Sequence, residues 1–153
     1  MKDFKTFINE NLLVPRNIEG RKDKLKQMNT KLLSQEVIDG DLDLDESFMD
    51  IDPKFVKVKK MNGDVRLTGG HWTEIPEWLK NVEIVNSFRC SVNKLETLKN
   101  CPNKIEENFI CRYNLLTSLE GCSKFVGGDF WCDHNKVKLE LPDCVNLKGN
   151  FIN

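Results

Sequence analysis

The sequence predicts an α+β fold, a parallel β-solenoid of about six short rungs with a helical N-terminal cap. A chain of 153 residues is long enough to form one domain with its own core. Phenylalanines recur at a constant interval of 21, at Phe88, Phe109, Phe130 and Phe151. An amphipathic segment precedes the repeating region. We therefore divide the chain into a helical N-terminal segment, 1–38, and a solenoid, 39–153.

The segment 21–37 has the spacing of an amphipathic helix. Its apolar residues recur at helical intervals, with lysine and arginine on the other side: Leu25, Met28, Leu32 and Leu33. The end coil of a solenoid has a neighbour on only one side, so its apolar face must be covered. We therefore expect this helix to cap the first rung.

Each repeat carries the same residue types in the same register. Cysteine follows each of the first three phenylalanines by two residues, asparagine comes three residues later, and leucine or valine two residues after that. These positions are Cys90, Cys111 and Cys132, then Asn93, Asn114 and Asn135, then Leu95, Leu116 and Val137. Before Phe88 the interval is 23, so six rungs begin at Leu42, Val65, Phe88, Phe109, Phe130 and Phe151.

This spacing predicts short strands that stack in parallel. Apolar residues two apart lie on one face of a strand, because the side-chain period of a strand is two. A strand of about three residues cannot bury that face alone, whereas strands stacked about 4.8 Å apart cover one another. The asparagine fits a buried turn, where its amide can satisfy backbone groups that strand pairing leaves free.

The string Phe-x-Cys-x-x-Asn-x-Leu, at 88–95 and 109–116 with a variant at 130–137, resembles the central segment of the leucine-rich repeat. That family carries Leu-x-Leu-x-x-Asn-x-Leu at the same places, in repeats of about 20 to 29 residues. The resemblance covers residues 40–153 and implies a solenoid of the leucine-rich-repeat type.

The first two units depart from the repeat. Ser47 and Gly70 stand where asparagine is expected, and Met49 and Trp72 stand where leucine is expected. Degenerate units are typical of the end of a repeat array.

The N-terminus, MKDFKTFINE, resembles the targeting segments of internal head proteins of T-even-type bacteriophages. Those segments have a Met-Lys start, spaced aromatic residues and an Ile-x-Glu or Leu-x-Glu site that precedes removal by the head protease. Ile8-Asn9-Glu10 matches that site, and the resemblance implies a phage origin. A structural alternative is a short docking helix, with Phe4, Phe7 and Ile8 on one face.

Composition argues against two classes of partner. The net charge is −1, from 23 basic and 24 acidic side chains, which disfavours a dedicated nucleic-acid binder or a polybasic membrane binder. No window approaches the roughly 18 apolar residues of a membrane-spanning helix, and the N-terminus lacks the apolar core of a secretory signal. We predict a cytoplasmic location, that of the host cell for a phage protein, with the virion interior as the alternative.

Residues that could support catalysis or bind metal form no known constellation. There is no Cys-x-x-Cys pair, and cysteine spacings of 10 to 12 do not make a compact zinc site. As ladder residues, the six cysteines are expected to be buried and, in a reducing compartment, free. Strand alternation should separate inward-facing Cys132 from Asp133 and His134. We predict no enzymatic activity, no metal and no cofactor.

The neighbours of the inward residues should form an outer strand face. Its middle position is acidic at the start, carries arginine in the centre and is apolar at the end: Asp43, Arg66, Arg89, Ile110, Trp131 and Ile152. Aromatic residues, arginine and exposed apolar rows are typical of binding hot spots. We predict a partner-binding site formed by Arg66, Arg89, Ile110, Arg112, Tyr113, Trp131, Asp133, His134 and Ile152.

These observations favour a non-enzymatic module that binds, and by occlusion inhibits, a host protein such as a defence or metabolic enzyme. The alternatives are a structural protein of the phage head interior, and a single-stranded nucleic-acid binder that uses the arginines with Tyr113 and Trp131. An enzyme using His134 and a nearby carboxylate is a third. Little sequence follows Phe151, so an open edge at the last rung could also pair with another copy.

Overall fold

The computed structural model describes residues 18–153 and confirms the predicted fold class. One helix, α1 (Ile18–Leu33), is followed by a parallel β-solenoid of about six turns. α1 ends four residues before the predicted end, because Ser34 Oγ and Gln35 Nε2 donate to the carbonyls of the last helical turn and the chain then becomes extended. In the described range, no helix is long and apolar enough to cross a membrane.

Every turn contributes one short strand to each of two six-stranded parallel sheets. The odd-numbered sheet consists of β1 (Val37–Asp39), β3 (Lys60–Asn62), β5 (Ile84–Val85), β7 (Lys104–Ile105), β9 (Phe125–Val126) and β11 (Asn146–Leu147). The even-numbered sheet consists of β2 (Leu42–Leu44), β4 (Val65–Leu67), β6 (Phe88–Arg89), β8 (Phe109–Ile110), β10 (Phe130–Trp131) and β12 (Phe151–Ile152). Three 3₁₀ helices, Glu46–Phe48, Pro53–Phe55 and Glu77–Asn81, lie in the first two turns.

The even-numbered sheet is the predicted stack of rungs. Its strands pair in the register that the repeat indicates, with the six predicted first residues aligned from Leu42 to Phe151. The outward residues between them form one ladder, from Asp43 to Ile152. The predicted strand face therefore exists as a continuous surface.

The odd-numbered sheet was missing from the prediction, which assigned one strand to each rung. Its inward residues include Ile105 and Val126, both fully buried, and the partly buried Leu147. Most of its strands are two residues long, so each presents a single inward side chain and no period-two pattern. The recurrence of an apolar residue at these positions is the only sequence sign of this sheet.

Phenylalanine and the first cysteine of each repeat fill the interior as predicted, whereas Cys144, expected to be buried, is exposed and Cys122 is only partly buried. Phe88, Phe109 and Phe130 are fully buried, and consecutive ring centroids lie 5.6 and 4.5 Å apart. Cys90, Cys111 and Cys132 are also fully buried. The stack loosens at its end, because Phe151 is only partly buried and meets Phe130 edge-on at 5.6 Å.

The predicted asparagine ladder joins successive turns. Asn114 Nδ2 donates to the carbonyls of Cys90, one turn back, and Cys111, at 2.9 and 3.1 Å. Its Oδ1 accepts a hydrogen bond from the Leu95 amide at 3.0 Å. Asn93 and Asn135 make equivalent bonds. Each buried amide thus satisfies backbone groups of its own turn and of the preceding one.

α1 covers the first turn, as predicted for a cap. Leu32 and Leu33 are buried and join the continuous core, and Met28 is buried beside them. The buried Asn29 donates from Nδ2 to Ser47 Oγ at 2.7 Å. A polar contact to the cap therefore replaces the asparagine ladder at the position where the first unit departs from the repeat.

In the second turn, tryptophan occupies the position where the repeat has leucine. Trp72 is buried at the leucine position, and its Nε1 donates to the Thr68 carbonyl at 2.8 Å. The Trp72 amide donates to Asn93 Oδ1 at 3.2 Å. The larger ring is therefore accommodated without an unpaired indole nitrogen.

Candidate partner-binding face

The nine predicted site residues lie on the even-numbered sheet or in the loop that follows each of its strands. Five of them belong to the outward ladder: Arg66, Arg89, Ile110, Trp131 and Ile152. The other four follow β8 and β10: Arg112, Tyr113, Asp133 and His134. The structure brings Trp131 and these four into mutual contact, whereas Arg66 and Arg89 lie at the other end of the face.

Arg112 is the centre of this cluster. Its Nη2 donates a hydrogen bond to Asp133 Oδ2 at 2.7 Å. Its Nε lies 2.6 Å from Asp133 Oδ1, an ion-pair contact without hydrogen-bond geometry. The guanidinium carbon lies 5.4 Å from the Trp131 ring centroid and 5.5 Å from that of Tyr113. Both distances are within the range of cation–π attraction. Arg112 is therefore held in one orientation between a carboxylate and two aromatic rings.

His134 completes the cluster. Its ring stacks on Tyr113, with centroids 4.3 Å apart and planes 19° apart. His134 Nδ1 lies 2.5 Å from Asp133 Oδ2. The hydrogen bond from Arg112, with a smaller contribution from His134, holds the pKa of Asp133 below its ordinary value of 3.8. Asp133 is therefore ionised at neutral pH and fixes both neighbours.

At one position of the repeat, a left-handed backbone conformation directs the side chains of successive turns out of the solenoid. Val92, Tyr113 and His134 occupy the same position in successive turns, with φ of 56°, 53° and 57°, and Gly69 stands there in the second turn with φ of 101°. A left-handed residue with a Cβ costs about 1–2 kcal/mol. Val92 is 65% exposed and occupies this outward position one turn before Tyr113. The predicted site omitted Val92, although its repeat position matches those of Tyr113 and His134.

The outward ladder at the start of the face is charged rather than apolar, and its arginines are paired with aspartates. Arg66 Nη2 lies 2.7 Å from Asp41 Oδ2, and its Nη1 lies 3.2 Å from Asp43 Oδ1. Arg89 Nε lies 3.1 Å from Asp64 Oδ2. The backbone hydrogen bond from Asp64, followed by the side-chain bond from Arg66, lowers the pKa of Asp41. The charge of both arginines is therefore compensated within the protein.

Burial makes five of the six cysteine thiols poor nucleophiles at neutral pH. All six are free. Burial raises the pKa of the Cys132 thiol to about 12 and that of Cys122 to about 11, and it holds those of Cys90, Cys101 and Cys111 well above 9.0. Within residues 18–153, no group of three or more histidine, cysteine, aspartate or glutamate side chains could hold a metal ion.

Comparison with known proteins found no matching protein-family model, no similar curated protein and no similar solved structure. The coordinates themselves show a parallel β-solenoid with turns of about 21 residues. Membership of the leucine-rich-repeat family stays a prediction. The phage origin also stays a prediction, and the ten residues on which it depends, 1–10, lie outside the described range.

Proposed function

We propose that this chain is a non-enzymatic protein-binding module that contacts its partner through the C-terminal half of the even-numbered strand face. The observation that carries the proposal is the apolar ladder of Ile110, Trp131 and Ile152 beside the ordered cluster around Arg112. Tryptophan, tyrosine and arginine are the residues most enriched at binding hot spots.

Preorganisation supports this proposal. A mobile arginine loses rotamer freedom when a partner immobilises it, at a cost of about 0.5–1.5 kcal/mol per ordered side chain. Arg112 is already held by Asp133 and the two rings, so less freedom remains to be lost on binding. The partner would supply an apolar surface against the ladder and a hydrogen-bond acceptor for the outer edge of the guanidinium.

The charge pairing favours a protein partner over single-stranded nucleic acid. Nucleic-acid affinity derives largely from cationic side chains that displace counterions from phosphates. Arg66, Arg89 and Arg112 each have an aspartate at hydrogen-bonding distance, so a phosphate would compete with an internal carboxylate. Tyr113 and Trp131 could still stack on bases, so the nucleic-acid alternative requires a direct binding test.

We further propose that binding inhibits a host protein by occlusion. A solenoid face that covers part of a partner's surface blocks that surface without any catalytic group of its own. This finer proposal, and the host as the source of the partner, depend on the predicted phage origin. A structural role inside a phage head is the competing proposal, and it would be supported by co-purification with head components.

The test is affinity capture from bacterial lysates, with wild-type chain and two matched variants. Trp131→Ala removes the central ring of the ladder, and Phe125→Ala removes a half-exposed ring of the same turn on the odd-numbered sheet. We expect Trp131→Ala to weaken the affinity for the co-purified protein by about tenfold or more, and Phe125→Ala to leave it nearly unchanged. Equal affinity of wild type and Trp131→Ala would reject this surface.

A fluorescent single-stranded oligonucleotide tests the alternative. Binding that weakens steeply between about 50 and 200 mM salt would favour the nucleic-acid function. Absence of binding at the lower salt concentration would leave the protein-binding proposal as the better account of the face.

A further inference from the structure

Two cysteines from successive turns line one cavity at the C-terminal end of the solenoid. The cavity has a volume of about 460 Å³, and its walls include Leu119, Cys122, Leu139, Pro142 and Cys144. Cys144 is exposed and Cys122 is half-buried. The two thiols therefore share a space that small molecules in solution can reach.

The strand register places these cysteines close together. β9 and β11 pair Phe125 with Asn146, so Cys122, three residues before Phe125, is one residue out of register with Cys144, two residues before Asn146. Both cysteines lie in the turns that precede these strands, so the pairing of β9 with β11, about 4.8 Å apart, brings the two turns and the two thiols of the shared cavity next to each other. Cys144 also contributes to the raised pKa of Cys122, as expected for neighbouring thiols.

The other cysteines are poorly placed for oxidation by a reagent in solution. Cys90, Cys111 and Cys132 are fully buried, and Cys101 is 8% exposed. A disulfide reagent in solution must therefore meet Cys144 first, and Cys122 is its partly accessible neighbour in the same cavity.

We propose that Cys122 and Cys144 form a thiol-oxidation site, at which a low-molecular-weight disulfide such as oxidised glutathione converts the two thiols into a bond between the last two turns. The Cys144 thiolate attacks one sulfur of oxidised glutathione, the glutathione S–S bond breaks, and one glutathione leaves and takes up a proton. The deprotonated Cys122 then attacks Cys144 Sγ and expels the second glutathione, which is also protonated. Two protein thiols are oxidised and one glutathione disulfide is reduced to two thiols.

The second step should limit the rate. Burial raises the pKa of Cys122 to about 11, so few of these thiols are ionised at neutral pH. Closure of the bond should therefore accelerate as the pH rises from about 7 to 9, roughly tenfold per pH unit while the thiol remains mostly protonated.

The bond would lie next to the last turn, whose apolar residues are less buried than those of the turns before it. Leu147, Phe151 and Ile152 in the last turn are only partly buried. A covalent link between Cys122 and Cys144 would close a loop that contains β9 and β10, and it would restrict unfolding of the turn against which the last one packs. This inference is independent of the proposed protein-binding function.

The experiment treats the full chain with oxidised glutathione at pH 8.5, followed by intact mass and non-reducing peptide mapping. We expect a mass loss of about 2 Da, a peptide linking Cys122 to Cys144, and a higher thermal midpoint that dithiothreitol reverses. In Cys122→Ser, Cys144 should retain one glutathione, whereas Cys101→Ser should form the bond as wild type does.

Four results would overturn the inference: no reaction, a stable glutathione adduct on wild-type Cys144, an intermolecular dimer through Cys144, or a bond that includes Cys101. Cys144→Ser alters only an exposed side chain and should abolish the mass change while circular dichroism remains native. A mass loss of about 2 Da in Cys144→Ser would also contradict the assignment.

Discussion

The two halves of the strand face share one backbone ladder and differ in chemistry. In the first half, Arg66 and Arg89 form ion pairs with neighbouring aspartates. In the second half, the same ladder position holds Ile110, Trp131 and Ile152. The inward residues vary much less, since phenylalanine occupies four consecutive rungs. The interior therefore determines the repeat, while the outward positions are free to differ from turn to turn.

The largest expected effect compares inward with outward residues: substitution of an inward residue should lower the free energy of unfolding much more than substitution of an outward one. Phe109→Ala removes a buried ring that packs between Phe88 and Phe130. We expect the free energy of unfolding to fall by about 3–5 kcal/mol. The matched control is Ile110→Ala, the adjacent outward residue, for which we expect a loss below about 1 kcal/mol. Urea denaturation followed by circular dichroism measures both losses, and equal values would contradict this difference.

A smaller effect is expected at the left-handed backbone position, where the second turn has Gly69 and the third turn has Val92. Val92→Gly installs the residue that Gly69 provides one turn earlier. We expect the free energy of unfolding to rise by about 0.5–1 kcal/mol, because relief of the left-handed cost exceeds the entropic cost of glycine. Val92→Ala retains a Cβ and should change it little. If glycine destabilised the protein in urea denaturation, Val92 would instead contribute favourable packing.

The smallest expected effect is the stability lost when two aspartate ion pairs are protonated at low pH. The pKa of Asp41 and that of Asp133 are lowered in the folded state, so their ion pairs stabilise the protein fully above pH 3.8 and this contribution is lost as the pH falls through the lower folded values. Each pair keeps a partner whose side chain is at least 34% exposed, so solvent screening should limit its contribution to below about 1 kcal/mol. Urea denaturation at pH 7 and pH 3 should show a smaller loss on acidification in Asp133→Asn than in wild type. Equal losses would mean that Asp133 does not stabilise the fold.

The sequence predicts the even-numbered sheet because its inward residues recur in type. Phe109 and Cys111 lie two apart and return every 21 residues, and Asn114 marks the turn after them. The odd-numbered sheet could not be predicted in this way, because a strand such as β7 has a single inward residue, Ile105. The end of α1 was misplaced because Val37 continues a plausible helical pattern, and pairing of β1 with β3 decides its conformation.

The sequence predicts which residues of the candidate site face outward, but it does not predict the contacts between them. Alternation alone places Trp131 outward, so the apolar end of the face is visible in the sequence. The pairing of Arg112 with Asp133 depends on rotamers and on stacking of residues 21 positions apart. The same applies to Arg66 and Asp41, whose charges compensate each other across a rung. Such contacts arise from the stacking of turns and leave no pattern in the sequence.

The asparagine bonds have a consequence for how such a chain can change in length. Asn114 reaches the carbonyl of Cys90 in the preceding turn, and Asn135 reaches that of Cys111 in the same way. The third and fourth turns thus each carry an asparagine that bonds the turn before and a carbonyl that accepts from the asparagine of the turn after. If 21 residues were duplicated or deleted in this region, each asparagine would still face an equivalent carbonyl in the preceding turn. An insertion or deletion of another length would move the asparagine away from that carbonyl. Gene-level gain or loss of whole turns is therefore the mutational route that this architecture tolerates best.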